Sequence, residues 1–219
     1  FHLDSRDQTR PYNEYGSIFL KVSLTAKLGH ANKDMFMINP FAMLQAAFSE
    51  RGGFSELLSN MLREKPPSQE APWRIALYAD EVVPGNQLSV QNKRKAWVLY
   101  WSFLEFGKHL GNESAWLPLV AETSHGLKHI SGGISQVFAV AIKQFFGVGT
   151  LAFNFMTAGM LLTNHDGSFK ARLIAILSMI LQDGGAHKAV FWRKGDSGTK
   201  FCMLCVNLVA PKSELTATD

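Results

Sequence analysis

Apolar residues along the chain gather into short runs, separated by clusters of Gly, Pro, Asn and Ser that mark where each element ends. YGSIFLKVSL (15–24) mixes apolar and β-branched residues and predicts a strand. NPFAMLQAAFSERGGFSELLSNMLREK (39–65) predicts a helix after Asn39 with Pro40 in its first turn. A break at Gly52 and Gly53 follows, then a second amphipathic helix that PPSQEAP stops. WRIALYAD (73–80), bounded by Pro72 and Pro84, is the clearest strand. RKAWVLYWSFLEF (94–106) is aromatic enough to be a strand beside it, although its length also suits a helix. WLPLVAE reads as a third strand, and HISGGISQVFAVAIKQFFG as a helix entered through Ser131, Gly132 and Gly133. FKARLIAILSMILQ (169–182) can begin as a helix or end as a strand. The sum is an α/β chain on a mixed sheet with helical insertions.

Composition narrows the class. A chain of 219 residues, 47% hydrophobic and 18% charged, can bury a full core and is no disordered tail. It has no low-complexity linker, heptad run or fixed repeat, so one domain is expected. The formal charge of +4 permits an anionic partner without demanding one. The chain opens on Phe1, with neither an initiator Met nor the apolar core of a secretory signal, so a processed chain or fragment is expected. Cys202 and Cys205 are its only cysteines, too few for a disulfide framework at this length, which favours a reducing compartment.

Two apolar runs each deliver a carboxylate to a turn: IALYADEVVPGNQL carries Asp80 and Glu81 towards Pro84, Gly85 and Asn86, and the run ending at Gln182 carries Asp183 towards Gly184 and Gly185. Carboxylates at the ends of adjacent strands can converge on a metal. Paired metal ions can then activate a nucleophile and stabilise the leaving oxygen of a phosphodiester. Strand-end carboxylates also cap helices or pair with Lys, so spacing alone leaves the choice open. Consecutive strand residues face opposite ways, so Glu81 shares a metal with Asp80 only if the strand has already ended.

Five blocks carry a resemblance: NPFAML (39–44), LYADEVVPGNQL (77–88), YWSFLEF (100–106), LQDGGAHKAV (181–190) and KGDSGTKFCMLC (194–205). In this order they resemble the catalytic region of DDE/D transposases of the CACTA-like superfamily, over most of residues 15–207. The resemblance implies an RNase H-like core, incomplete here, with Asp80 on its first strand and Asp183 on its fourth. It implies Mg²⁺ or Mn²⁺ at those two residues and metal-assisted DNA strand cleavage and transfer. Residues 1–70 are then an N-terminal strand and helical segment. Residues 71–219 are the core fragment, with a helical insertion at 124–168 and a CxxC element at 194–207. The family's third acid lies beyond that element and has no counterpart in this chain; Glu105 and Asp166 are the substitutes to test.

Other residues fit the same picture. Lys93, Arg94 and Lys95 in QNKRKAW, and Lys188, Arg193 and Lys194 in KAVFWRKGDSGTK, are candidate DNA contacts, since Lys and Arg at such density commonly meet phosphates. A solvated loop explains the first group equally well. His187 could join Lys188 on a phosphate or stand as a helix-start histidine satisfied by backbone. Cys202 and Cys205 could supply half of a zinc site, or be two reduced thiols. The expected partners are DNA and a further copy of the chain, and the location is nuclear if the chain is a eukaryotic transposase. The competing expectation is a non-catalytic remnant or a structural subunit of a larger assembly, membrane-bound through the uncharged stretch 145–164.

Overall fold

The computed structural model describes residues 12–83, 95–147 and 153–191. In chain order these residues form β1 (Tyr12–Asn13), β2 (Gly16–Ser17), β3 (Phe19–Leu24), β4 (Lys33–Ile38), α1 (Pro40–Ser49), α2 (Gly53–Glu64), β5 (Trp73–Val82) and β6 (Ala96–Phe103). Two 3-10 segments, Leu104–Gly111 and Glu113–Ala115, precede β7 (Leu117–Thr123). Then come α3 (Ile134–Phe145), β8 (Met160–Thr163), β9 (Lys170–Leu173), β10 (Ala175–Gln182) and α4 (Gly184–Phe191). The fold is mixed α/β.

Its centre is a four-stranded mixed sheet in the order β10-β5-β6-β7. β5, β6 and β7 are antiparallel neighbours, and β10 returns parallel to β5. Period-2 alternation decides which face is buried. Trp73, Ile75, Leu77 and Ala79 of β5 and Trp97, Leu99, Trp101 and Phe103 of β6 all sit in the core, while Tyr78 stays partly exposed between them. On the buried side α1 packs against β7 and α3, and α4 packs against β5, β10 and α3. Trp101 meets Phe145 of α3 edge-on at 5.1 Å, and Phe41 of α1 stacks on Phe155 at 4.2 Å.

The helix pair α1 and α2 forms where the Asn-Pro and Gly-Gly signals place it. The Oδ1 atom of Asn39 accepts the Phe41 and Ala42 amides at 3.1 and 3.3 Å, capping a helix whose first residue, Pro40, has no amide to satisfy. Within the segment 94–106, Ala96–Phe103 is a strand followed by a 3-10 turn from Leu104, and 169–182 holds two strands, β9 and β10. β4 carried no prediction; its buried Met35 and Met37 alternate, but methionine is a weak strand signal.

Two expectations need correction. β5 does not stop at Asp80: Asp80, Glu81 and Val82 remain paired with Val98, Trp97 and Ala96. The stretch 145–164 is not one apolar helix, because Phe145 ends α3 and Met160–Thr163 is β8. Gly147 and Gly159 adopt φ of 70° and 65°. The Asn154 side chain donates to the Phe146 carbonyl and accepts the Met156 and Thr157 amides, tying a turn where a helix would have to continue. The segment expected as a helical insertion thus holds α3 and then a strand. Among the described residues no helix is long and apolar enough to cross a membrane.

Candidate functional site

Because β5 continues through Val82, Asp80 and Glu81 are sent to opposite faces of the sheet. Glu81 accepts a hydrogen bond from the Ser124 hydroxyl and lies 3.5 Å from Lys95 Nζ. It is a structural link between β5 and the segments flanking β6 and β7, and it does not share a site with Asp80. Asp80 lies on the face of Tyr78, whose hydroxyl donates to Asp80 Oδ2 at 3.2 Å.

β10 brings Asp183 alongside. Gln182 is the register partner of Ala79, so the next residue of each parallel strand is Asp183 and Asp80 respectively. Neighbouring strands lie roughly 4.8 Å apart, so the chain reaches Asp183 beside Asp80 as it leaves β10. The Tyr78 phenol feels both carboxylates: burial raises its pKa first, followed by the charge and hydrogen bond of Asp80 and then the charge of Asp183. Asp183 also caps α4, its Oδ1 accepting the Ala186 amide at 2.6 Å, and its side chain remains exposed.

A groove of about 550 Å³ opens on this face, lined by Tyr78, Tyr100, Glu113, Trp116 and Leu181. Its far wall is Glu113 of the second 3-10 segment and the Trp116 that follows it. The Ser102 hydroxyl donates to the Ala115 carbonyl at 2.7 Å, and the Trp116 indole N–H donates to the Leu110 carbonyl at 3.0 Å. That fixes Trp116 against Tyr78, ring centroids 6.2 Å apart. These aromatic residues were missed in the sequence. The available signal was the two-residue step from Tyr78 to Asp80, which puts both on one face of any strand.

The substitute third acids do not reach the pair. Glu105 grips Arg74, accepting its backbone amide at 2.9 Å and its Nε at 3.0 Å. Arg74 lies six residues before Asp80, roughly 20 Å along a strand. Asp166 accepts the Ser168 amide in the β8–β9 turn. Among the described residues no three His, Cys, Asp or Glu side chains form a metal-holding group. The Asp80–Asp183 pair still suits Mg²⁺ or Mn²⁺ by donor type, since Mg²⁺ takes hard oxygens, keeps several waters and is commonly held by one or two carboxylates plus substrate phosphates.

Of the candidate DNA contacts, Lys95 is paired with Glu81, and Lys188 stands on α4 five residues after Asp183. His187 is in the same helix. Lys93, Arg94, Arg193, Lys194, Cys202 and Cys205 lie outside the described residues. Comparison with family models, curated proteins and solved structures yields no match.

Proposed function

We propose that the chain is a transposase-like domain whose Asp80 and Asp183 hold a divalent metal for cleavage and transfer of DNA strands, on an RNase H-like core. The observation that carries this reading is the register of β10 on β5, which brings Asp183, just past the end of β10, level with Asp80 within β5. The strand order supports it as well: three antiparallel strands, a helix-bearing crossover, and a fourth strand parallel to the first and beside it. In this role Mg²⁺ or Mn²⁺ supplies a Lewis acid for the phosphodiester. Asp80 and Asp183 bind it, Tyr78 orients Asp80 through its hydroxyl, and the groove receives the substrate next to the scissile bond.

A second reading has its own observation. Asp183 caps α4 and Asp80 accepts from Tyr78, so each carboxylate already has a structural role, as a non-catalytic remnant requires. Asn substitution separates the two, because Asn caps a helix as well as Asp but carries no charge. Mn²⁺ binding is to be followed by calorimetry on the wild type, Asp80→Asn and Asp183→Asn, with melting temperatures alongside. The metal reading expects both variants to lose Mn²⁺ binding while Asp183→Asn melts with the wild type. A wild type that takes up no Mn²⁺ removes catalysis from this chain.

A further inference from the structure

Two loops that are distant in sequence are zipped together at one edge of the molecule. The β3–β4 loop meets the β7–α3 loop through an Ala26–Ile130 bridge, the Lys27 amide donating to the His129 carbonyl at 2.8 Å and the Ser131 amide donating to the Thr25 carbonyl at 2.9 Å. Gln136 completes the join, accepting the Thr25 amide through Oε1 at 2.7 Å and donating to the Ser131 carbonyl at 3.0 Å. What this join holds together is cationic. His30 and His129 stack with ring centroids 4.2 Å apart, and Lys27 Nζ donates to the Lys128 carbonyl at 2.9 Å. His125 follows on the same loop, and all five side chains are exposed.

None of these five takes part in a salt bridge among the described residues. The nearby carboxylate, Glu122, is taken by Lys33 at 2.7 Å. The groups facing His129 are His30 and Lys27 from one loop and Lys128 and His125 from the other. Displaced water, then these positive charges, hold its pKa below the ordinary histidine value. His129 therefore gives up its proton more readily than an isolated histidine, and a bound anion favours its return.

The position of the cluster says which anion. Asp80 pairs with Val98, and Val98 pairs with Ala121, four residues before His125. The cluster lies beyond the same end of the sheet that carries Asp80 and Asp183, with two strand spacings, roughly 10 Å, separating Asp80 from Ala121. We propose that Lys27, His30, His125, Lys128 and His129 form a docking surface for the phosphate backbone of duplex DNA, laid across the sheet end towards the carboxylate pair. The choice of DNA and the direction of its backbone rest on the metal reading of Asp80 and Asp183; that the surface takes an anion rests on the cluster alone.

The test is fluorescence anisotropy with a labelled 20-base-pair duplex in EDTA, at several salt concentrations and between pH 5.5 and 8, so no metal or cleavage is involved. Each lysine that meets a phosphate contributes about 1 to the slope of log affinity against log salt. The Lys27→Gln/Lys128→Gln double variant is expected to bind more weakly with a slope shallower by about 2, and Lys128→Gln alone by about 1. The single variant decides the matter if the double does not fold. A phosphate near His129 favours its proton, so wild-type affinity is expected to rise as pH falls, and less steeply in His129→Gln. Unchanged affinity and slope in folded variants overturn the proposal. So does binding to phosphatidylglycerol vesicles, lost in the same variants, with no binding to the duplex. Loss of Mn²⁺ binding leaves this result untouched, and its failure leaves the metal site untouched.

Discussion

Asn39 shows how much one side chain can hold. It is wholly buried, and while Oδ1 caps α1, its Nδ2 donates to the Tyr15 and Ser17 carbonyls at 2.8 and 3.2 Å. The capping half was legible from Asn-Pro before an apolar run; the donor half was not, because it depends on where a strand over twenty residues earlier passes. Asn and Asp cap equally well on an exposed helix. Here they do not exchange, since an Asp carboxylate would face two carbonyl oxygens in the core. Asn39→Ala is expected to cost about 2 kcal/mol or more through the lost cap and the orphaned carbonyls. Asn39→Asp is expected to destabilise as well at neutral pH, and urea unfolding reads both; a neutral Asp variant would reduce Asn39 to a cap alone.

At the level of elements, the apolar runs showed β5, β6, β7, α1, α2 and α3 because each is bounded by turn residues and carries one period. The pairing of Asp80 with Asp183 was legible only as two similar endings. Their adjacency depends on β10 crossing back to the free edge of β5, a long-range event that no local pattern encodes. Of the β8–β9 hairpin, β8 was expected inside a helical insertion and β9 was left open between helix and strand, for a related reason: its stability comes from partners elsewhere. On its outer edge Leu161 exchanges both backbone hydrogen bonds with the Tyr15 hydroxyl, and Thr163 exchanges both with the Gln45 amide. Two side chains thus stand in for a missing strand and close an edge that would otherwise be open to pairing. Gln45→Ala leaves the Thr163 amide unpaired and its carbonyl held by the Ser49 hydroxyl at 3.2 Å, and is expected to cost about 1–3 kcal/mol. Hydrogen exchange should accelerate at Thr163 more than at the β5–β6 ladder; equal change across both would show that the side chain supports the whole core and not this edge.

Across the whole molecule, the 70/71 division read from the sequence falls in the loop between α2 and β5, and both sides contribute to one core. A chain of rings crosses it. Phe41 of α1 stacks on Phe155, Phe155 lies 6.1 Å from Trp101 of β6, and Trp101 meets Phe145 of α3. The sheet is therefore closed on its buried side by a segment that precedes it in sequence, and that same closure holds the opposite face, with Asp80 and Asp183, in register. If so, damage in α1 must be felt in the sheet. Phe41→Ala removes a fully buried ring and is expected to cost about 3–5 kcal/mol. The tryptophan fluorescence, to which Trp73, Trp97 and Trp101 buried in the sheet contribute, should shift to lower temperature together with the far-ultraviolet circular dichroism. A tryptophan transition that stays at the wild-type temperature while helical signal melts early would separate residues 12–65 from the sheet. The site would then be held by the sheet alone.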